Sequence, residues 1–226
     1  SLPEDDLDFQ TQFVSSCHDA GISAEIIDPK QALLMEPTAN PDLVGAVRVP
    51  DGSVDPFRLT LANALDAKMH GADLLTQHEV VDLIREQDRI VGVKLLNHHN
   101  KQEVVYYAQI IVNAGGIWGH GLAKMAGVEV NMFPAKGSLL IFGHRVNQMV
   151  INRCRKPSNA DILVPGDTIS VIGTTSDRIP YDQIDNMRVT QEEVDILIRE
   201  GEKLAPCLAT TRILRAYAGV RPLVAA

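Results

Sequence analysis

The run Ile110-Ile111-Val112-Asn113-Ala114-Gly115-Gly116-Ile117-Trp118 joins an apolar stretch to two consecutive glycines and then to a helix-like segment. Glycines at such a junction let backbone approach a bulky flat or phosphorylated ligand, and a helix start offers unpaired N–H groups to negative charge. A tight strand-to-helix turn would need the same residues on steric grounds alone, and the residues by themselves divide evenly between the two. No GxGxxG occurs anywhere in the chain. A second cluster is Arg212-Ile213-Leu214-Arg215-Ala216-Tyr217-Ala218-Gly219-Val220-Arg221-Pro222. Strand alternation puts Arg215, Tyr217 and Arg221 on one face, opposite Leu214, Ala216, Ala218 and Val220. At roughly 3.3 Å per residue, Arg215 and Arg221 stand about 20 Å apart, too far to share one phosphate. Arg221, between a glycine-loosened backbone and a proline, is the better fixed fork for a phosphate or carboxylate, with a solvated strand arginine as the plainer alternative. Lys136-Gly137, after Phe133-Pro134-Ala135, could set an ammonium beside an anionic cofactor atom or simply face water from a loop. Gly173-Thr174-Thr175 offers two hydroxyls at a strand end.

Other chemistries find less support. Seven histidines show no HxH or HExxH spacing, and Cys17, Cys154 and Cys207 form no CxxC pair, so neither a metal cradle nor a disulfide framework is expected. No GxSxG elbow is present. Arg153-Cys154-Arg155-Lys156 is a small basic run, expected as a solvated loop or as the rim of an entrance for an anion. The formal net charge of −8 disfavours a nonspecific grip on nucleic acid or an anionic membrane. A hydrophobic content of 45% with 22% charged residues is that of a globular chain.

The elements that must position these residues follow from periodicity. Leu7, Phe13 and Val14 among polar residues, ending at Ala20-Gly21, predict an amphipathic helix, and Asp28-Pro29 opens a short second one. Asp55-Pro56 starts a third helix whose apolar face is Leu59, Ala62, Leu65 and Met69, with Gly71 as its stop. Strands are expected at 73–76, 80–85 and 90–96, the last two as a hairpin around Glu86-Gln87-Asp88, with 106–107 and 110–112 continuing the sheet. After Met132 the pattern changes to short antiparallel strands at 138–142, 149–152, 161–164 and 168–172, with Pro165-Gly166-Asp167 as a turn. Thr190-Gln191-Glu192-Glu193 reads as a capping box whose helix turns Val194, Leu197, Ile198 and Leu204 inward. The stretch 104–123 is uncharged, yet Gln109, Asn113 and four glycines make it a poor bilayer span. Neither end of the chain reads as a natural terminus, so a piece of a longer protein is expected.

Taken in order, Val54-Asp55-Pro56-Phe57-Arg58-Leu59, Val112-Asn113-Ala114-Gly115-Gly116-Ile117-Trp118, Pro134-Ala135-Lys136-Gly137-Ser138, Val171-Ile172-Gly173-Thr174-Thr175 and Tyr217-Ala218-Gly219-Val220-Arg221-Pro222-Leu223 resemble the FAD-dependent glycerol-3-phosphate dehydrogenases of the D-amino-acid-oxidase-like superfamily. Asn152 to Ser158 and Ala160 to Thr168 look like the anaerobic, multi-subunit branch in particular. The resemblance implies oxidation of sn-glycerol 3-phosphate to dihydroxyacetone phosphate by hydride transfer from C2 to N5 of FAD. Electrons would then pass through partner subunits to a membrane quinone, which implies a cytoplasmic protein held at the inner membrane by those partners. Val80 would meet the adenine end of FAD. Ala114, Gly115, Gly116 and Trp118 would form a second flavin contact, Lys136-Gly137 a loop returning toward the isoalloxazine, and Arg221 the arginine on the substrate phosphate. The family's N-terminal Gly-rich fingerprint has no counterpart here, so the chain by itself is expected to hold FAD weakly and to be inactive. Leu139-Leu140 stand where aerobic relatives often carry a histidine, so no base is assigned. The implied fold is mixed α/β and α+β: a partial FAD-binding Rossmann-like domain at 46–128, antiparallel substrate-domain segments at 1–45 and 129–215, and a return into the flavin domain at 216–226. An amine or 2-hydroxyacid oxidase of the same superfamily, or a non-catalytic docking module, are the alternatives.

Overall fold

A computed structural model describes residues 1–224. In chain order the elements are α1 (Asp8–Asp19), β1 (Glu25–Ile27), α2 (Pro29–Met35), β2 (Ala46–Arg48), α3 (Pro56–Met69), β3 (His78–Glu86), β4 (Arg89–Asn97), β5 (Glu103–Tyr107), α4 (Gly119–Met125), β6 (Met132–Phe142), β7 (Ile151–Asn152), β8 (Ile162–Pro165), β9 (Ser170–Gly173), β10 (Asp177–Arg178), α5 (Gln191–Leu204) and β11 (Ile213–Val224). This is a mixed α/β chain whose sheets are antiparallel wherever a register is defined. Two compact units form: Ser1–Asp55 with Lys136–Gly219, and Pro56–Ala135 with the chain from Val220 on. The return segment expected at 216–226 ends in Ala225 and Ala226, which lie outside the described residues.

The first unit is organised by a sheet in the order β10-β6-β9-β8-β7, with β11 also paired to β6. The register sets Leu140 opposite Ile172 and Leu163 opposite the same Ile172, so alternate side chains stack on one face. That face meets α5: Leu140, Phe142, Leu163, Ile172, Leu197, Leu204 and Leu208 make one buried cluster, with Val194 and Ile198 packed against it. The capping box at Thr190 and Glu193 forms as expected, each side chain bonding the other's backbone. Asp28 caps α2 through Gln31 N–H at 3.0 Å. The β1–β2 pair has no signal in the sequence; at three residues each, these strands are too short to show a period.

The second unit is a β3-β4-β5 meander with α3 and α4. The hairpin turn is Gln87-Asp88, and Gln87 takes the left-handed conformation, φ 52°. Gly92 on β4 is needed for close approach, because a Cβ there would meet the Tyr106 carbonyl oxygen at 2.5 Å. Two sequence expectations fail here. Residues 73–76 form no strand. Residues 110–112 do not extend the sheet, and Ile110 and Val112 are 81% and 80% exposed. An apolar run becomes a strand only beside a neighbour that takes its N–H and C=O groups, and among the described residues none flanks this one. No helix among the described residues is long and apolar enough to cross a membrane.

Candidate functional site

The Asn113–Gly119 turn is built around one side chain. Asn113 Nδ2 donates to the Gly119 carbonyl at 2.8 Å, and its Oδ1 accepts from Gly115 N–H at 3.2 Å. A Cβ on Gly115 or Gly119 would press within 3.1–3.2 Å of that same Oδ1, so these two glycines serve the asparagine. Gly116 differs. It sits at φ +55° with nothing within 4 Å of where a Cβ would stand, and so exposes bare backbone. A 3₁₀ turn, Gly116–Trp118, then leads into α4, with Trp118 61% exposed. The arrangement can receive a flat group against backbone and indole. Ala114 lies in the same turn, and Val80 is half-buried on β3 opposite Leu95.

Arg221 lies on β11, half-buried, with Arg215 and Tyr217 exposed earlier on the same strand. Val80, Ala114, Gly115, Gly116, Trp118 and Arg221 all belong to the second unit. Lys136 and Gly137 belong to the first. They form no loop: both are buried within β6. Lys136 Nζ donates to Glu193 Oε2 at 2.7 Å and to the Arg188 carbonyl at 2.6 Å. The expectation of an ammonium facing either a cofactor atom or water is thereby corrected, because a lysine on the inward face of a strand must find a carboxylate when buried.

Glu193 is the residue that sequence reasoning missed. Its Oε2 also accepts from Thr190 N–H at 2.7 Å, and its Oε1 from Ser138 Oγ at 2.7 Å and Thr175 Oγ1 at 3.2 Å. Burial pushes this carboxyl up, but the hydrogen bonds from Lys136, Thr190 and Ser138 outweigh it and hold it at about 2, below the ordinary 4.5. The solvated-loop reading of the basic run is corrected in the same way. Arg153 is buried and forks onto Asp5 at 2.6 and 2.8 Å, with Glu4 at 3.0 Å, while Arg155 holds Asp161 at 2.6 Å. Burial raises the Asp5 carboxyl, yet the Arg153 bonds bring it below the usual range. These arginines clamp the chain and, with Cys154 between them, also line a cavity of the first unit. That cavity, about 480 Å³ and walled also by Phe9, Phe13, Ile27, Leu43 and Ile151, includes none of the residues expected to meet FAD or the substrate phosphate.

Comparison with known proteins places these features in a family. A match to the FAD dependent oxidoreductases extends over residues 2–226. The chain belongs to that family. It is 64% identical over 225 residues to a subunit of the anaerobic glycerol-3-phosphate dehydrogenase of Haemophilus influenzae, covering 100% of this chain and 40% of that protein. It is 66% identical to the protein of the same name from Escherichia coli K12, covering 100% of this chain and 42% of that one. Among solved structures, glycine oxidase from Geobacillus kaustophilus superposes with a TM-score of 0.81 at 24% identity, over 99% of this chain and 57% of that one, which shows a shared fold. The chain thus spans about two fifths of the length of these dehydrogenase subunits.

The FAD of this family fits part of what is present. Bare backbone at Gly116 and the exposed Trp118 suit a ring or ribose approaching the turn. The phosphate cradle that such a dinucleotide also requires has no Gly-rich sequence here to supply it.

Proposed function

We propose that this chain is the central part of a flavoprotein that oxidises sn-glycerol 3-phosphate to dihydroxyacetone phosphate. The reading is carried by one observation: near two-thirds identity, along the entire chain, to proteins bearing that activity in their name. The second unit contributes to the flavin domain and the first to the substrate domain. FAD, when bound, supplies the hydride acceptor for C2 of the substrate. The residues of this chain bind and orient. Val80 meets the adenine end, Ala114, Gly115, Gly116 and Trp118 meet the cofactor at the glycine turn, and the backbone of Lys136-Gly137 approaches the ring. Arg221 forks onto the substrate phosphate, so that binding energy at a remote group holds the reacting carbon in place. Electrons leave through partner subunits to a membrane quinone, which holds the whole protein at the cytoplasmic face of the inner membrane. The chain alone, with no phosphate cradle, binds FAD weakly and does not turn over.

Arg221→Ala in the full-length protein tests the assignment. Loss of a charge-assisted contact to phosphate raises KM for glycerol 3-phosphate by at least about tenfold and leaves the weak reaction with glycerol unchanged. Unaltered kinetics with glycerol 3-phosphate would refute the role of Arg221. Turnover of glycine or 2-hydroxyglutarate in preference to glycerol 3-phosphate would refute the substrate.

A further inference from the structure

The cavity of the first unit lies between two strand edges. Among the described residues β7 ends its sheet and β2 has only β1 beside it, and both strands line the cavity, with Val47 and Ile151 half-buried on its wall. An edge strand leaves a row of N–H and C=O groups without partners. The charges nearby are already engaged: Arg153 with Asp5 and Glu4, Arg155 with Asp161, and the Glu36 carboxylate with the N–H groups of Gln148 and Met149 at 2.7 and 2.8 Å. What remains for an occupant is apolar side chain and strand backbone. An added strand with alternate apolar residues uses both.

Ser1 marks where such a strand would end. It lines the same cavity: its N donates at 2.8 Å to the carbonyl of Gly45, just before β2, and its Oγ at 3.1 Å to the carbonyl of Cys154, just past β7. Val44 N–H donates back to the Ser1 carbonyl at 3.0 Å. One residue thus ties the two edges together. Burial presses the Ser1 ammonium below its ordinary value, a penalty that an uncharged amide making the same bond to Gly45 would not meet. We propose that the residues immediately before Ser1 in the full-length protein fill this cavity as a strand between β2 and β7, joining the two sheets of the unit. Because Ser1 stands at the start of β2 and past the end of β7, that strand runs antiparallel to β2 and parallel to β7. β2 spans about 10 Å, so about four residues suffice, every second one apolar to meet Phe9, Phe13 and Ile27. This rests on the proposed function in one respect, that the chain is the central part of a longer one.

Disulfide trapping in the full-length protein tests this. Val47→Cys, and separately Ile151→Cys, is combined with a cysteine at each of the four positions before Ser1, with Cys154→Ser in the background because that thiol also lines the cavity. Neighbouring strands lie about 5 Å apart, within disulfide reach, and successive side chains point to opposite faces. Each series should therefore give an intramolecular disulfide at alternate positions, at least about tenfold above the yield at the positions between. Amide exchange at 46–48 and 151–152 should also be at least about a hundredfold slower in the full-length protein than in the 226-residue chain, with the core at Leu197 little changed. No intramolecular disulfide in either series, or equal exchange at the two edges, overturns the proposal. Intermolecular disulfides alone would overturn it in favour of a second copy, and edge protection lost on dialysis in favour of a small apolar ligand. Trapped disulfides in a full-length protein inactive on glycerol 3-phosphate would support the strand and count against the proposed activity alone.

Discussion

α5 and α3 are each fourteen residues long and each carries an apolar stripe at helical spacing, yet their surroundings are opposite. Leu197 on α5 is wholly buried, Leu204 nearly so, and the first turn is closed by the capping box and the Lys136 ion pair. No residue of α3 is buried, and Phe57 and Met69 are 86% and 84% exposed. The same contrast runs through the two units: one has a continuous apolar core and internally paired charges, the other shows Tyr107, Ile110, Val112 and Trp118 at its surface. An apolar stripe states which side of a helix seeks cover. It does not state whether the covering segment lies within the same stretch of chain.

The contrast can be broken at several points. Arg153→Met leaves Asp5 buried without its guanidinium and should cost about 3–5 kcal/mol, read by urea unfolding; a loss below about 1 kcal/mol would show that the clamp is solvated. Leu197→Ala opens a cavity in the core and should cost about 2–5 kcal/mol, whereas Leu65→Ala on α3 should change stability of this chain by less than about 0.5 kcal/mol. Equal losses at the two sites would erase the distinction between the helices. Repeating Leu65→Ala in the full-length protein sharpens it, since a multi-kilocalorie loss there would reveal a cover supplied by the remaining sequence.

Acid should act on the first unit. The folded Glu193 carboxyl lies below its ordinary value, so the stability it contributes is complete above about 4.5 and is lost as pH falls through about 2. That contribution is up to roughly 3 kcal/mol, and Glu193→Gln should flatten this part of the stability–pH profile while the portion due to Asp5 and Glu200 persists. Thr190→Ala, which removes the cap and keeps the ion pair, should cost only about 1 kcal/mol by thermal melting.

Local chemistry made much of the fold legible. Asp28-Pro29, Thr190 with Glu193, the Gln87-Asp88 turn and the spacing of Leu197 and Leu204 act over a few residues, and each element they announce is there. The glycine turn was legible as a turn, with Asn113 as its organiser visible only once the chain had closed. The strand expected at 110–112 misled because a strand is a property of its neighbours, and none stands beside it among the described residues.

The sequence by itself determined where helices begin and stop, the antiparallel character of the second half and the family to which the motifs belong, because capping, turn and period-two signals are written within a few residues of where they act. Tertiary structure alone decided what the charges do. Lys136 and Glu193 lie 57 residues apart, and Arg153 and Asp5 lie 148 apart. Whether a basic residue meets solvent, a ligand or an internal carboxylate depends on which distant segment folds against it, and desolvation makes that choice only when the partner has arrived.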